Sequence, residues 1–182
     1  IPPVAALWMG PGAHFVHYYV RGGSLVNIVA VVEKTGWEVE SWTERGEKAE
    51  LLADFEGWHP TVQGLLQALD AEQCFKWALF DRDPLPAWTQ GPCTLLGDAC
   101  HPMLPFMAQG ACMAIEDAQV LADCVSRWPG PEALSRYEAL RLPRTSKVQL
   151  GSRKNADIYH FGGVKAVARD LALRLAGGQL AK

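Results

Sequence analysis

The chain lacks any excess of positive charge: 17 lysines and arginines stand against 20 aspartates and glutamates, a formal net charge of −3. Without a basic field it has nothing to neutralise a phosphate backbone, which argues against nucleic acid as a partner. No run approaches the ~18 apolar residues needed to cross a bilayer, so a membrane span is not expected. Ile1-Pro2-Pro3 carries no basic region, and the apolar stretch from Val4 to Met9 is too short for the core of a signal peptide. Cysteine is sparse, at positions 74, 93, 100, 112 and 124, and shows no CxxC pairing. An odd number of thiols in a chain too large to need disulfide staples points to the cytoplasm. A GxGxxG fingerprint is also missing, because "GPGAHF" lacks the third glycine and leads into a strand rather than a helix. There is no internal repeat and no low-complexity tract.

What is present is a chain of 182 residues, 49% hydrophobic, long enough to bury a sizeable core. "HFVHYYVRGGSLVNIVAVVE" contains two β-branched and aromatic runs broken by Arg21-Gly22-Gly23-Ser24, a hairpin signal. Alternation puts His14, Val16, Tyr18 and Val20 on one face and Phe15, His17 and Tyr19 on the other. "VAALWMGPG" reads as a third strand ending at a Gly10-Pro11-Gly12 turn. Helices are expected over "TERGEKAELLADFEGW", with Ala49, Leu52, Ala53 and Phe55 inward, and over "HPTVQGLLQALDA", with Pro60 in its first turn and Val62, Leu65, Leu66 and Leu69 inward. "CFKWALFD" and the short apolar "PCTLLGD" read as strands, the second covered on both faces. A helix is expected from about Gly110 to Trp128 along an Ala114, Ala118, Leu121, Val125 stripe, stopped by Pro129-Gly130-Pro131. A further helix starts at Glu132, and an amphipathic one over "VKAVARDLALRLAG" ends before Gly177-Gly178. The fold class is α/β (α+β), in three parts: an antiparallel sheet with a helical insertion over 1–90, a strand, loop and helix over 91–128, and terminal helices over 129–182.

The chemistry concentrates in "LLGDACHPMLPFMAQGACMAIEDA", residues 95–118. The backbone N–H groups at Gln109, Gly110 and Ala111 open a helix and form a seat for an anion or an electron-rich ring edge, which Gly110 lets approach closely. Asp98, at the end of the preceding strand and next to Gly97, can accept hydrogen bonds from ligand hydroxyls. On spacing alone, a plain helix entry with an acidic turn residue accounts for the same pattern. Cys100-His101 has no metal-ligand partner at the right spacing, so no metal is expected, and adjacent residues do not direct both side chains at one reacting atom as a Cys–His hydrolase needs. His17, His59 and His160 have no evident companions and read as surface or core residues, and Cys112 as helix packing.

Residues 95–118 resemble the second flavin-binding motif of class A FAD-dependent aromatic monooxygenases, the salicylate hydroxylase and 4-hydroxybenzoate hydroxylase group. "GPGAHFVHYYVRGGSLVNIVAVVE" and "FKWALFDRDPLPAW" are similar to its salicylate and 6-hydroxynicotinate hydroxylase branch. The resemblance implies that Asp98 holds the ribityl hydroxyls of FAD, that Pro102 lies beside the isoalloxazine, and that Gln109, Gly110 and Ala111 face its pyrimidine edge. It places His14 and Tyr18 in the substrate pocket, handling a phenol proton. An imidazole of ordinary pKa near 6.5 suits that task, and four-residue spacing keeps both side chains on one strand face. Arg21 is a candidate for a substrate carboxylate. Pro105 and Phe106 stand where some relatives carry a polar substrate contact, so the substrate itself is left open.

The implied activity is hydroxylation of a small aromatic acid with O2 and NADH or NADPH as co-substrate. Two alternatives stay open: oxygenation of a non-phenolic metabolite, and a non-catalytic flavin-fold binding module. The absence of GxGxxG and of the family's middle Asp-Gly motif leads to the expectation that the chain is the C-terminal half of such an enzyme. Its partner would then be the N-terminal half, as a separate fragment or as preceding sequence, without which FAD is not retained. The resemblance also allows a homodimer.

Overall fold

The structure, a computed structural model, describes residues 1–34, 36, 41 and 43–180. Two compact units emerge, one of Ile1–Ala78 with Ile158–Lys182 and one of Leu79–Asp157.

The first unit is built on an antiparallel meander in the order β1 (Ala6–Gly10), β2 (Ala13–Val20), β3 (Leu25–Val32). Gly12, at φ +65°, lets the chain turn tightly between β1 and β2, and the expected Arg21–Ser24 break joins β2 to β3. Register pairs Trp8 with Phe15 and Phe15 with Ala30, so these three share a face, while Met9, His14 and Val31 share the other. Helices α1 (Lys48–Asp54) and α2 (Pro60–Ala68) cover the Phe15 face. Phe15, Phe55, Val62 and Leu66 are fully buried there, and the Phe15 and Phe55 rings meet edge-on with centroids 5.8 Å apart. Pro60 sits in the first turn of α2 as expected, and the ring of His59 caps it by accepting from the Thr61 N–H at 3.2 Å. His59 also stacks on Trp8.

Helix α1 begins at Lys48 rather than Thr43. Residues 44–46 are drawn instead into hydrogen bonds with 74–76, Gly46 N–H to Cys74 C=O and Lys76 N–H to Glu44 C=O, each at 3.0 Å. The expected strand over 74–81 is reduced to one bridge between Phe75 and Arg45. Among the described residues no longer strand runs alongside to satisfy its backbone, and Phe75, Trp77, Leu79 and Phe80 remain 37–52% exposed. The closing helix α5 (Gly163–Leu180) runs through Gly177-Gly178 instead of ending before them. Its apolar residues Val164, Val167, Leu171 and Leu175 are exposed, so the amphipathic face expected of it is not buried among the described residues.

In the second unit, a hairpin of β4 (Thr89–Gln90) and β5 (Cys93–Thr94) replaces the expected buried strand. Leu95 leaves the ladder because its carbonyl accepts from the Tyr137 hydroxyl and its N–H goes back to Trp88. Two 3-10 turns, Gly97–Ala99 and Pro105–Met107, lead into α3 (Gly110–Arg127), which is followed by α4 (Gly130–Tyr159) with Pro143 inside it. The buried face of α3 is Met113, Asp117 and Cys124; Ala118 and Val125 of the expected stripe are exposed. The displacement has a cause: Asp117 occupies a core position as a charged residue with partners, so apolar periodicity points one residue away. Trp88, Cys100, Cys124, Ala133 and Tyr137 complete this unit's core. Among the described residues no helix is long and apolar enough to cross a membrane.

Candidate functional site

In the second unit the loop from Gly97 to Gln109 is held from beneath by side chains rather than by sheet pairing. Asp117, fully buried on α3, accepts from the Gly97 N–H at 3.1 Å, from His101 Nε2 at 2.5 Å and from Arg141 Nε at 2.6 Å. Burial opposes the charge on Asp117, but the hydrogen bonds from His101, Arg141 and Gly97 outweigh it and keep the carboxyl below its ordinary value. Arg141, itself buried, is also paired with Glu116 at 2.6 Å and reaches the Met113 carbonyl. Two of the bonds to Asp117 come from the residues flanking Asp98-Ala99-Cys100, so this carboxylate fixes the turn that presents Asp98. Gly97 adopts φ +60°, and a Cβ there would lie 3.3 Å from the Ala114 methyl, so a side chain is both strained and crowded.

Helix α4 carries the rest of the bracing. Gln149 donates to the Pro102 carbonyl at 2.9 Å, Ser152 to the Leu104 carbonyl, and Asn155 to the Phe106 carbonyl at 3.1 Å. Arg82 donates to the Ala99 carbonyl. The loop then enters α3 through Ala108, a non-glycine residue at φ +51°. That conformation is sparsely populated and persists where surrounding contacts impose it. Gln109 takes the cap position without a side-chain hydrogen bond, and no acidic residue lies in the first turn. The first N–H groups of α3, at Gly110, Ala111 and Cys112, are thus not neutralised by a side-chain cap. Asp98 and Ala111 are exposed, Pro102, Gln109 and Gly110 half-buried, Pro105 exposed and Phe106 buried.

His101 Nδ1 is buried without a hydrogen-bond partner among the described residues, and the donor atoms of Cys100, His101 and Asp117 lie within 4.8 Å of one another. This donor set does not suit a metal. Asp117 is already engaged by a guanidinium, and burial followed by the nearby Asp117 charge pushes the Cys100 thiol up to about 12. The same shift removes Cys100 as a nucleophile.

In the first unit His14 is 2% exposed, and Tyr18, on the same strand face two rungs along, is 38% exposed. Arg21 lies in the exposed turn that follows. His14 Nδ1 lies 2.7 Å from His160 Nε2, and His160 Nδ1 lies 2.6 Å from Glu33 Oε1. His160 therefore has companions, contrary to the reading from sequence. Burial, and then the electrostatic effect of the adjacent His160, bring His14 down to about 4, so its imidazole is neutral at neutral pH. Neither His160 nor Glu33 has a local motif. The one usable signal is hairpin register, which carries Glu33 back beside the Gly12 turn.

Comparison with known proteins gives a consistent outcome. A family profile described as "FAD binding domain" matches residues 24–151. The chain is 44% identical over 162 residues to 3-amino-4-hydroxybenzoate 2-monooxygenase of Streptomyces platensis, covering 87% of this chain and 40% of that protein. It is 45% identical over 155 residues to 6-hydroxynicotinate 3-monooxygenase of Pseudomonas fluorescens, covering 81% and 39%. With 3-hydroxybenzoate 6-hydroxylase of Klebsiella oxytoca it shares 39% identity over 169 residues, covering 91% and 41%. Among solved structures, a salicylate hydroxylase substrate complex superposes with TM-score 0.77 at 31% identity, covering 95% of this chain and 46% of that one. Klebsiella pneumoniae HpxO, complexed with FAD and uric acid, gives 0.76 at 30% identity, covering 94% and 43%. The chain spans about 40% of the length of these three curated relatives.

Proposed function

Since the chain belongs to the FAD binding domain family, we propose that it is part of a flavin-dependent monooxygenase that hydroxylates a small aromatic acid, of the hydroxybenzoate or hydroxynicotinate type. The observation that carries this reading is the braced Gly97–Gln109 loop ending at a helix start without a side-chain cap. That arrangement fits FAD. An exposed carboxylate at Asp98 suits ribityl hydroxyls, and the electropositive start of α3 suits the pyrimidine edge, where negative charge gathers on reduction. A Cβ built at Gly110 meets nothing nearer than Met103 Cγ at 3.9 Å, so the backbone is approachable.

FAD, when bound, supplies the oxygen chemistry, with electrons drawn from NADH or NADPH. The roles of the chain's own residues divide between binding and proton handling. Asp98, Gln109, Gly110 and Ala111 hold the cofactor, and Pro102 lies beside its ring. His14 accepts the proton of the substrate hydroxyl, with Tyr18 as a second polar contact on the same strand face. Deprotonation makes the aromatic ring electron-rich enough to be oxygenated. His14 is neutral at neutral pH and able to accept, although burial makes it a weaker base, at about 4, than the ordinary imidazole expected from the sequence. Arg21 faces the substrate carboxylate as a planar bidentate donor, and Pro105 and Phe106 contribute apolar wall.

The remainder of the FAD domain, in this reading, comes from further sequence of the same enzyme. The 39–41% coverage of the curated relatives and the exposed Phe75, Trp77, Leu79 and Phe80 support that reading. Five free thiols favour the cytoplasm as its compartment. The test is NAD(P)H oxidation by the complete flavin-loaded protein against a panel of hydroxybenzoates, aminohydroxybenzoates, 6-hydroxynicotinate and uric acid, with product identified by mass. Hydroxylation of a phenolic acid is expected. Turnover of uric acid alone would favour the non-phenolic alternative, and the absence of bound flavin would favour a binding module.

A further inference from the structure

We infer that Glu33 and His160 form a proton relay behind His14, setting its tautomer and carrying the substrate proton toward solvent. The inference rests on the reading of His14 as the base and adds two residues that neither spacing nor motif assigns.

The donor order follows from the chemistry of the groups. A carboxylate only accepts hydrogen bonds, so His160 Nδ1, 2.6 Å from Glu33 Oε1, carries the hydrogen. In the proposed relay His160 rests as the neutral imidazole with Nε2 accepting, which puts the hydrogen of its 2.7 Å contact with His14 on His14 Nδ1. That leaves the basic lone pair of His14 on Nε2. A carboxylate thus orients one imidazole, which orients the next.

The backbone fixes this geometry independently of the side chains. Gly12 donates its N–H to the His160 carbonyl at 3.1 Å and accepts from the Glu33 N–H at 2.8 Å, so one turn ties both relay residues to the start of β2. Tyr159 packs edge-on against the His14 ring, with centroids 5.4 Å apart, and limits its rotation. Exposure is graded along the chain of groups: His14 is 2% exposed, the His160 side chain 5% and the Glu33 side chain 64%. The inner members are shielded and the outer one is wet, as a path from a buried base to water requires.

The transfer is balanced and involves no electrons. The hydroxyl O–H bond breaks and His14 Nε2–H forms, His14 Nδ1–H passes to His160 Nε2, and His160 Nδ1–H passes to Glu33, which releases a proton to water. Reprotonation of the product oxygen along the same path restores the starting tautomers.

The test uses the complete FAD-loaded enzyme labelled with 15N-histidine. Long-range 1H–15N spectra should find both His14 and His160 protonated at Nδ1. Glu33→Gln, at an exposed position, should mix the tautomers of both rings. It should also lower kcat about tenfold with KM little changed, as expected when proton transfer and not binding is impaired, while Glu33→Asp restores most of both. A His14 protonated at Nε2 in the parent enzyme, or tautomers unmoved by Glu33→Gln, would overturn the relay. A parent enzyme with the predicted tautomers but no hydroxylase activity would instead overturn the function on which the proton's origin depends.

Discussion

Asp117 shows how one residue can satisfy a buried charge and shape a loop. It compensates buried Arg141 and at the same time holds both ends of the turn that presents Asp98. Asp117→Asn leaves a buried guanidinium with Glu116 as its remaining counter-charge among the described residues. It should cost about 3 kcal/mol, the low end for breaking a buried ion pair, measured by urea unfolding. His14 governs a different limb of stability. The unfolded chain binds a proton on this residue near 6.5 and the folded chain only near 4, so unfolding takes up a proton between those values. Stability should fall as pH drops from about 6.5 to about 4, and His14→Gln should flatten that segment of the profile. A lower limb, from about 4.5 towards 2, belongs to Glu116, held down chiefly by Arg144, and Glu50, held down chiefly by Lys34. The turn at Gly97-Asp98 and the helix start at Gly110 were legible in the sequence, because glycine and helix-entry signals are local. Asp117, Arg141, His160 and Glu33 were not, because each acts through a partner far along the chain, and His14 and His160 are 146 residues apart.

Helix α4 explains why elements were harder to read than motifs. Its buried residues are Arg141, Thr145, Gln149 and Ser152, with Ala133 and Tyr137, while Leu140 and Leu150 are more than half exposed. Hydrophobic periodicity cannot find a helix face whose purpose is to hydrogen-bond a loop. The β1–β3 meander was legible because two β-branched and aromatic runs flank a Gly-Gly turn, and α2 because Pro60, Val62 and Leu66 agree with one another. Helix α3 was legible in extent but not in phase. Its uncapped start permits a test at this scale. Gln109→Asp puts a negative charge at the positive end of α3 and should raise stability by roughly 0.3–1 kcal/mol in thermal unfolding. In the flavin-loaded enzyme the same change should make the flavin midpoint potential more negative, because that charge repels the reduced ring. A substitution that altered both in the stabilising direction would show that the flavin does not face this helix end.

For the whole molecule, each unit has a core of its own, and each also has apolar residues that are exposed, on α5 in one and at Leu79 and Phe80 in the other. The fold class was readable from the mixture of hairpin and helix signals. Strand pairing over 74–81 was not, since a β-rich run does not reveal whether a neighbour is present. The most direct measurement of the central claim is titration of the complete apo-enzyme with FAD, followed by flavin fluorescence, beside its Asp98→Ala variant. Loss of the hydrogen bonds that the carboxylate accepts should weaken FAD binding roughly tenfold or more, with the unfolding midpoint unchanged. Equal affinity in the two proteins would contradict the claim that the turn braced by Asp117 grips the cofactor.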